Sequence, residues 1–232
     1  MLSDDLRKID TKTAVDYIEQ YFSLLPSGRP QYTGSRFETF VGGGDKNDPN
    51  RITSDDLIAV SMLAVHVPAQ AALGIVEDLS DKLTGLLSQL PVDLRLSDLS
   101  DGGFERLLNR DDSPADRLWK CLRSHADKWG VGQTTASKIM ARNRPDLIPI
   151  FDSVIQKRLG LPDSGGYWRL WHEAFTGAGK ETLIKRLQDI REQSGQHHLS
   201  LLRTLDIVFW MDSHGAAKIG VAPVTETVDT KD

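Results

Sequence analysis

One stretch of the chain, residues 130–155, limits its possible folds more than any other. It begins with two glycines around a valine, Gly130-Val131-Gly132, directly after a helical pattern. Apolar residues then recur three and four positions apart, which indicates that a second helix starts at once. Glycine suits so tight a bend because it accepts a positive φ or a close backbone approach at low steric cost. The pattern predicts two helices joined by a very short turn.

The start of the second helix has the features of a phosphate-binding turn. A helix N-terminus carries backbone N–H groups without intrahelical partners, and small residues before it allow an anion to approach. Lys138, Arg142 and Arg144 follow, and no acidic residue lies between Gly130 and Arg144. The local charge is positive, although the formal net charge of the whole chain is −5. We therefore expect this turn to bind a phosphate.

Asp152 follows Gly132 by 20 residues. The segment between them contains Pro145 and Pro149, which exclude a regular helix there. Residues 153–159 again read as helix, so Asp152 occupies the N-cap position. Its carboxylate would then lie at the positive end of the helix dipole. A structural N-cap is the simplest role for this residue.

Together these residues resemble the helix-hairpin-helix DNA glycosylase superfamily. Residues 130–136 are similar to the hairpin of that family, and residues 151–160 are similar to the phrase around its catalytic aspartate. The resemblance covers residues from about Pro114 to Gly160. It implies that Asp152 is catalytic and that the hairpin holds the backbone of double-stranded DNA. The residues implied in backbone binding are Gly130, Val131, Gly132, Gln133, Thr134, Thr135 and Lys138.

The chain departs from the family pattern at three places. Trp129 stands where the family usually has proline, and Ser153-Val154 replaces a pair that ends in histidine. Thr134 stands where the bifunctional branch has its nucleophilic lysine. The resemblance therefore implies a monofunctional glycosylase that leaves the abasic site intact. Because Cys121 is the single cysteine, the iron–sulfur cluster of some relatives is excluded, and no cofactor is expected.

Outside this stretch the chain shows mainly helical patterns. We expect an all-α fold, a two-lobed helical bundle with a helix-hairpin-helix motif. The predicted regions are an N-terminal helical part (1–112), the glycosylase-like part (113–213) and a flexible tail (214–232), with one compact domain as the alternative. Residues 31–40 lack helical periodicity and are expected to be extended. No apolar run approaches the length of a membrane span, and the acidic N-terminus does not resemble a signal peptide, so a cytoplasmic location is expected.

Five polar or aromatic residues are candidates for a pocket that holds a flipped base: Tyr32, Arg36, Glu38, Trp168 and His172. Simpler interpretations stand beside these. Trp168 is typical of a core residue, and His172 of a structural histidine with a partner. Asp206, within the last apolar helix, is interpreted as a polar edge position. No metal site is expected, because the histidines lack convergent acids or cysteines.

Three functions are therefore compared. The first is a glycosylase that excises an alkylated purine, an oxidised or mispaired base, or a hypermodified base of bacteriophage DNA, the last as a defence enzyme. The second is a non-catalytic module that keeps the hairpin as a DNA clamp. The third is a helical interaction scaffold that does not touch DNA. The net negative charge favours the third slightly.

Overall fold

The computed structural model describes residues 2–123 and 129–214. In these two ranges the chain is helical, and it contains no β-strand beyond an isolated bridge between Leu24 and Pro30. The α-helices are α1 (Leu2–Arg7), α2 (Thr11–Tyr21), α3 (Ser54–Ser61), α4 (Ala69–Leu73), α5 (Ser80–Leu87), α6 (Asp101–Phe104), α7 (Pro114–Arg123), α8 (Gln133–Asn143), α9 (Ser153–Leu159), α10 (Tyr167–Thr176), α11 (Lys180–Gln193) and α12 (Leu201–Ser213). The all-α class is confirmed.

Two helices form the centre of the molecule. α12 packs against α2, α9 and α11, and nearly every residue from Leu202 to Phe209 is buried. α8 packs against α3 and α7 and is buried on all sides from Thr135 to Asn143. A helix covered on every side has no solvent face, so its polar residues must find partners in the interior.

The helices before residue 112 pack against those after it. α2 contacts α12, α3 contacts α8, and α5 contacts α7. The buried apolar residues of both parts form one hydrophobic cluster. These contacts join the two parts. The boundary at residue 112 stays a prediction.

Several helix starts agree with the sequence patterns. Thr53 caps α3 and forms a capping box with Asp56, and Ser100 caps α6 through the N–H of Gly103. α9 has the predicted bounds. The helical pattern before Gly130 is confirmed as α7 as far as Arg123; residues 124–128 and the expected tail after residue 214 lie outside the described residues.

The expectation of an extended segment over residues 31–40 is wrong. The segment forms two 3₁₀ turns, Thr33–Arg36 and Phe40–Gly42. The segment packs closely against α2, since a side chain at Gly34 would collide with the hydroxyl of Tyr21. In the ranges that the structure describes, no helix combines the length and apolar character needed to cross a membrane.

Candidate functional site

The turn before α8 depends on one glycine. Gly130 has φ +71°, and a Cβ atom there would lie 2.7 Å from Cγ of Pro68. Any other residue would be strained in this conformation. Gly132 is the N-cap of α8 with φ −80°, and an added Cβ there would meet nothing within 4 Å. Within the residues that the structure describes, no side chain caps this helix start, so its first N–H groups can bind an outside acceptor.

Trp129 anchors the turn from within. Its indole Nε1 donates a hydrogen bond of 2.6 Å to the carbonyl of Leu122 in α7. Its ring lies against Gly74, where a side chain would overlap with it. Trp129 and Val131 are each only 5% exposed. Trp129 therefore ties the turn to the end of α7.

The expected role of Lys138 at a surface phosphate is corrected by the structure. The side chain is buried, and its ammonium donates a hydrogen bond of 2.8 Å to the carbonyl of Leu63. Burial lowers the pKa of Lys138, while the charges of Asp152 and Asp206 act in the opposite direction. Lys138 therefore belongs to the interior and does not extend the phosphate-binding surface of the turn.

The two arginines after Lys138 are also internal. The guanidinium of Arg142 pairs with Asp56 at 3.0 Å and donates to the carbonyls of Phe37 and Phe40. Arg144 is 1% exposed and donates to backbone carbonyls, among them that of Leu87 at 2.7 Å. Burial lowers the pKa of Arg144 to about 10. The positive charge that the sequence places after the turn is thus used to join segments of the fold.

Asp152 caps α9, as predicted. Its Oδ1 accepts hydrogen bonds of 3.0 Å from the N–H groups of Val154 and Ile155. Its Oδ2 has no hydrogen-bond partner among the described residues, and the residue is 9% exposed. One carboxylate oxygen is fixed by the helix, and the other is available to a ligand or water.

Two side chains that the sequence analysis missed hold the backbone before Asp152. The hydroxyl of Ser137 accepts from the N–H of Phe151 at 3.0 Å, and its one proton is shared between the carbonyls of Phe151 and Thr134, each 2.9 Å from Oγ. The hydroxyl of Tyr167 donates to the carbonyl of Ile150. Ser137 lies on α8, so the helix that starts at the glycine turn also fixes the position of Asp152. A small polar residue within an apolar helix face was the available signal for Ser137.

A buried charge network lies on α12 close to Asp152. Arg203 donates to Glu38 at 2.5 Å through Nε and to Asp206 through Nη1. Its Nη2 donates to the hydroxyl of Tyr21 at 2.8 Å. The network joins α12 to α2 and to the segment that precedes α3. Arg203 and Asp206 could have been found from sequence as a charged i, i+3 pair inside an apolar helix.

Asp206 is not at a polar edge, so that interpretation was wrong. It is 3% exposed, and its Oδ1 lacks a hydrogen-bond partner in the described residues. Burial raises the pKa of Asp206 to about 6, although the charge of Arg203 opposes this; the charge of Asp152 raises it further. Burial disfavours the charge of Arg203, but Glu38, Tyr21 and Asp206 outweigh it, so the pKa of Arg203 lies well above its ordinary value.

The first group of predicted pocket residues lies beside this network. Glu38 belongs to it. Tyr32 stacks on Tyr21 with ring centroids 5.5 Å apart and meets Trp210 edge-on at 5.8 Å. Arg36 is exposed and forms no ion pair within the part of the chain that the structure describes. All three residues lie in or next to the first 3₁₀ turn, Thr33–Arg36. Tyr32 contacts α2 and α12, and Glu38 contacts α12.

The second group lies elsewhere, on α10. His172 is buried, with Nε2 2.9 Å from the carbonyl of Leu99 and its ring stacked on Phe104 at 4.3 Å. Trp168 is half-buried and meets Trp119 edge-on at 5.7 Å. His172 is buried with a partner, as its simpler interpretation has it, whereas Trp168 is only packed against the edge of the core. Among the described residues, no hydrogen bond, ion pair or ring contact joins the two to Tyr32, Arg36 and Glu38. The five candidates do not form one pocket.

The cavity next to the charge network is small. It has a volume of about 10 Å³ and lies between α8 and α12, with Glu38, Arg203 and Asp206 in its wall. That is room for about one water molecule, far below the ~300 Å³ of a small-molecule pocket. Among the described residues, no group of three histidine, cysteine or acidic side chains could hold a metal ion.

Comparison with known proteins identifies a family but no activity. No curated protein and no solved structure shows a significant match to the chain. One family model matches residues 14–213, which include the glycine turn, Asp152 and the charge network of α12. Since this match spans most of the sequence, the chain belongs to DUF6308, a family of unknown function.

Proposed function

We propose that this protein is a monofunctional DNA glycosylase in which Asp152 assists hydrolysis of the N-glycosidic bond of a damaged or modified base. One observation carries the proposal. The carboxylate of Asp152 is fixed through Oδ1, its Oδ2 has no hydrogen-bond partner in the described part of the chain, and Ser137 of α8 bonds to the backbone of Phe151, the residue before it. A fixed anion beside a possible DNA contact is what this reaction requires.

The chemistry follows from the charge that develops during bond cleavage. Departure of the base builds positive oxocarbenium character at C1′ of the sugar, and a fixed carboxylate stabilises it. The base would leave with the electron pair of the N-glycosidic bond, and Oδ2 of Asp152, next to C1′, would accept a proton from the attacking water. That proton then passes to the departed base, which restores the carboxylate. The hydrogen bonds to Oδ1 keep the carboxylate in place, so little reorganisation accompanies the reaction. The product would be a free base and an intact abasic site.

The contact with DNA would come from backbone groups. The uncapped N–H groups at the start of α8 would bind one phosphate, helped by the helix dipole. Lys138 does not take part, because it is buried against Leu63. Such a contact positions the DNA without reading its sequence.

The reaction also requires space for a flipped base. The cavity of about 10 Å³ beside Asp206 cannot hold one. The proposal therefore includes a rearrangement on binding that opens a pocket at Asp152, as occurs in a minority of complexes. Tyr32 and Trp210, both half-buried on the neighbouring elements, would supply stacking surfaces.

The same observation supports the second candidate, a non-catalytic DNA clamp. Asp152 already has a complete structural role as the cap of α9. In that case the glycine turn would bind phosphate, and no pocket would open.

The deciding experiment is release of free bases from a panel of DNAs, measured by mass spectrometry. The panel includes alkylated, oxidised and mispaired duplexes and genomic DNA from phages with modified bases. Asp152→Asn is the test variant, because asparagine caps a helix as well as aspartate but carries no charge. Asp10→Asn is the matched control, since Asp10 caps α2 in the same way through Thr13.

A base that wild type and Asp10→Asn release and Asp152→Asn does not would support the glycosylase and name its substrate. Equal release by all three proteins would remove Asp152 from the mechanism. Salt-sensitive DNA binding without release would favour the clamp. Neither release nor binding would leave the helical scaffold.

A further inference from the structure

Two buried carboxylates of the α12 network have only one of their two oxygens bonded. Glu38 and Asp206 each accept a hydrogen bond from the guanidinium of Arg203, through Oε1 and Oδ2 respectively. Their other oxygens, Oε2 of Glu38 and Oδ1 of Asp206, are shielded from solvent and have no hydrogen-bond partner among the described residues. The two side chains are 10% and 4% exposed. Because buried acceptors are nearly always bonded, two such oxygens in one network require an explanation.

Arg203 has an unused donor in the same network. A guanidinium carries five N–H groups. Nε donates to Glu38, and one N–H of Nη1 donates to Asp206. The two N–H groups of Nη2 are directed to the hydroxyl of Tyr21 at 2.8 Å and to the carbonyl of Gly34 at 3.4 Å. The second N–H of Nη1 therefore has no acceptor in the part of the chain that the structure describes.

The three charged side chains line one small cavity. Glu38, Arg203 and Asp206 form the polar part of its wall, and apolar side chains of α8, α12 and residues 145–150 contribute to the rest. Its volume of about 10 Å³ is at the lower limit for a single water molecule. No larger ligand fits. Two acceptor oxygens and one donor thus belong to residues in the wall of a cavity that has room for one small molecule.

Water matches this wall better than other occupants of its size. A buried water typically forms about three hydrogen bonds, and it can donate twice and accept once. A metal ion is disfavoured, since no group of three acidic, histidine or cysteine side chains that could hold one is present among the described residues. A direct hydrogen bond between the two carboxyl groups requires a proton on one of them. Burial raises the pKa of Asp206 to about 6, so that proton is absent from Asp206 in a mildly alkaline solution.

We propose that the cavity binds one structural water molecule, which donates to Oε2 of Glu38 and Oδ1 of Asp206 and accepts from Nη1 of Arg203. This water completes the hydrogen bonds of all three charged side chains. Glu38 lies between the two 3₁₀ turns, whereas Arg203 and Asp206 lie on α12, so the water also joins the segment around Glu38 to that helix. Asp152 is not among the residues of the cavity wall, and the inference does not depend on the proposed reaction.

A crystal structure of the full chain at about pH 8 tests the proposal directly. At this pH the carboxyl of Asp206 is ionised, because its pKa is about 6. We expect one ordered water within about 2.5 to 3.2 Å of Oε2 of Glu38, Oδ1 of Asp206 and Nη1 of Arg203. An empty cavity, a metal ion in it, or a direct hydrogen bond between the two carboxyl groups would overturn the proposal.

The number of long-lived internal waters, measured in solution by magnetic relaxation dispersion, provides a second test. Asp206→Leu replaces one acceptor with an apolar side chain of similar shape and is expected to lower this number by one. Asp212→Leu is the matched control, because Asp212 also lies on α12 and pairs with an arginine, Arg158, but is not in the cavity wall. It is expected to keep the wild-type number. Equal numbers in wild type and Asp206→Leu would refute the water site, and the crystal structure of the wild type decides if Asp206→Leu does not fold.

Discussion

The polar groups at the two ends of α8 are bonded in different ways. Its first turn follows the exposed Gly132, and no side chain among residues 2–123 and 129–214 caps it. Its last turn contains Arg142, which is 3% exposed and bonded to Asp56 and to two carbonyls. The N–H groups at the start of the helix can bind water or a ligand, whereas the guanidinium at its end is bonded within the protein.

The difference shows how the chain uses its charge. Open N–H groups at a surface cost little, because water satisfies them until a ligand arrives. A buried guanidinium has no such alternative and must be bonded within the protein. Any anion contact at α8 therefore depends on backbone geometry, while the cations of the helix stabilise the interior.

The largest effect is expected from removal of Arg142. Arg142→Ala leaves Asp56 buried without its charged partner and removes the guanidinium from the carbonyls of Phe37 and Phe40, so the free energy of unfolding should fall by about 3 to 5 kcal/mol. The control is Arg169→Ala, which breaks the half-exposed ion pair with Glu105 and should cost far less, because solvent screens that pair. Urea unfolding measures both. Equal losses would show that the interior end of α8 is no better bonded than the surface.

The sequence predicts the first end of α8 far better than the second. The glycine turn, the helix start after Gly132 and the cap at Asp152 depend on residues within a few positions of each other. The partners of Lys138 and Arg142 are 75 and 86 residues away, at Leu63 and Asp56. No local pattern contains those contacts.

The wrong interpretations have a common cause. The sequence interpretation assumes that each helix has one apolar face inside and one polar face in solvent, so it assigns every charge to the surface. α8 and α12 are instead covered on all sides over most of their length. Asp206 was assigned to an edge for this reason, and Lys138 to a phosphate. The charged i, i+3 pair formed by Arg203 and Asp206 was visible, but its buried partner Glu38 lies 165 residues from Arg203. The activity stays a prediction, since its evidence is a motif and one carboxylate.

The interior network is also expected to give stability a specific pH dependence. The pKa of Asp206 is about 6 when folded, against an ordinary value of 3.8. Between these values only the folded protein binds the proton, so the free energy of unfolding falls as pH rises from about 4 to 6, by roughly 3 kcal/mol. Above pH 6 the carboxyl of Asp206 is ionised in both the folded and the unfolded protein, so it no longer makes the free energy of unfolding depend on pH.

In the variant Asp206→Asn, the free energy of unfolding should not show this fall between about pH 4 and 6. Urea unfolding of wild type and variant at intervals from pH 4 to 7 isolates it, because other carboxyls with raised pKa values, such as Asp146, are present in both proteins and cancel. A difference between the two proteins that does not vary with pH would show that Asp206 titrates normally.

At the exposed end, Gly130→Ala tests how firmly the turn is fixed. The left-handed conformation costs alanine about 1 to 2 kcal/mol, and the added Cβ also meets Pro68 at 2.7 Å. Gly160→Ala is the matched control, because Gly160 has φ +64° and open space around its Cβ position. Thermal unfolding should show the larger loss for Gly130→Ala. Equal losses would mean that the turn yields to the contact with Pro68.

The smallest change in stability and the sharpest test of the open end come from Gly132. Asparagine and aspartate are better caps than glycine by a few tenths of a kcal/mol, so Gly132→Asn and Gly132→Asp should both be slightly more stable than wild type. Both side chains occupy the N–H groups that a phosphate would use, and only aspartate adds a negative charge beside it. DNA affinity, measured by fluorescence anisotropy at fixed salt, should therefore fall in both variants, and by about tenfold with aspartate. Wild-type affinity in both stabilised variants would place any DNA contact away from the start of α8. The two ends of this helix would then differ in structure, but neither would bind DNA.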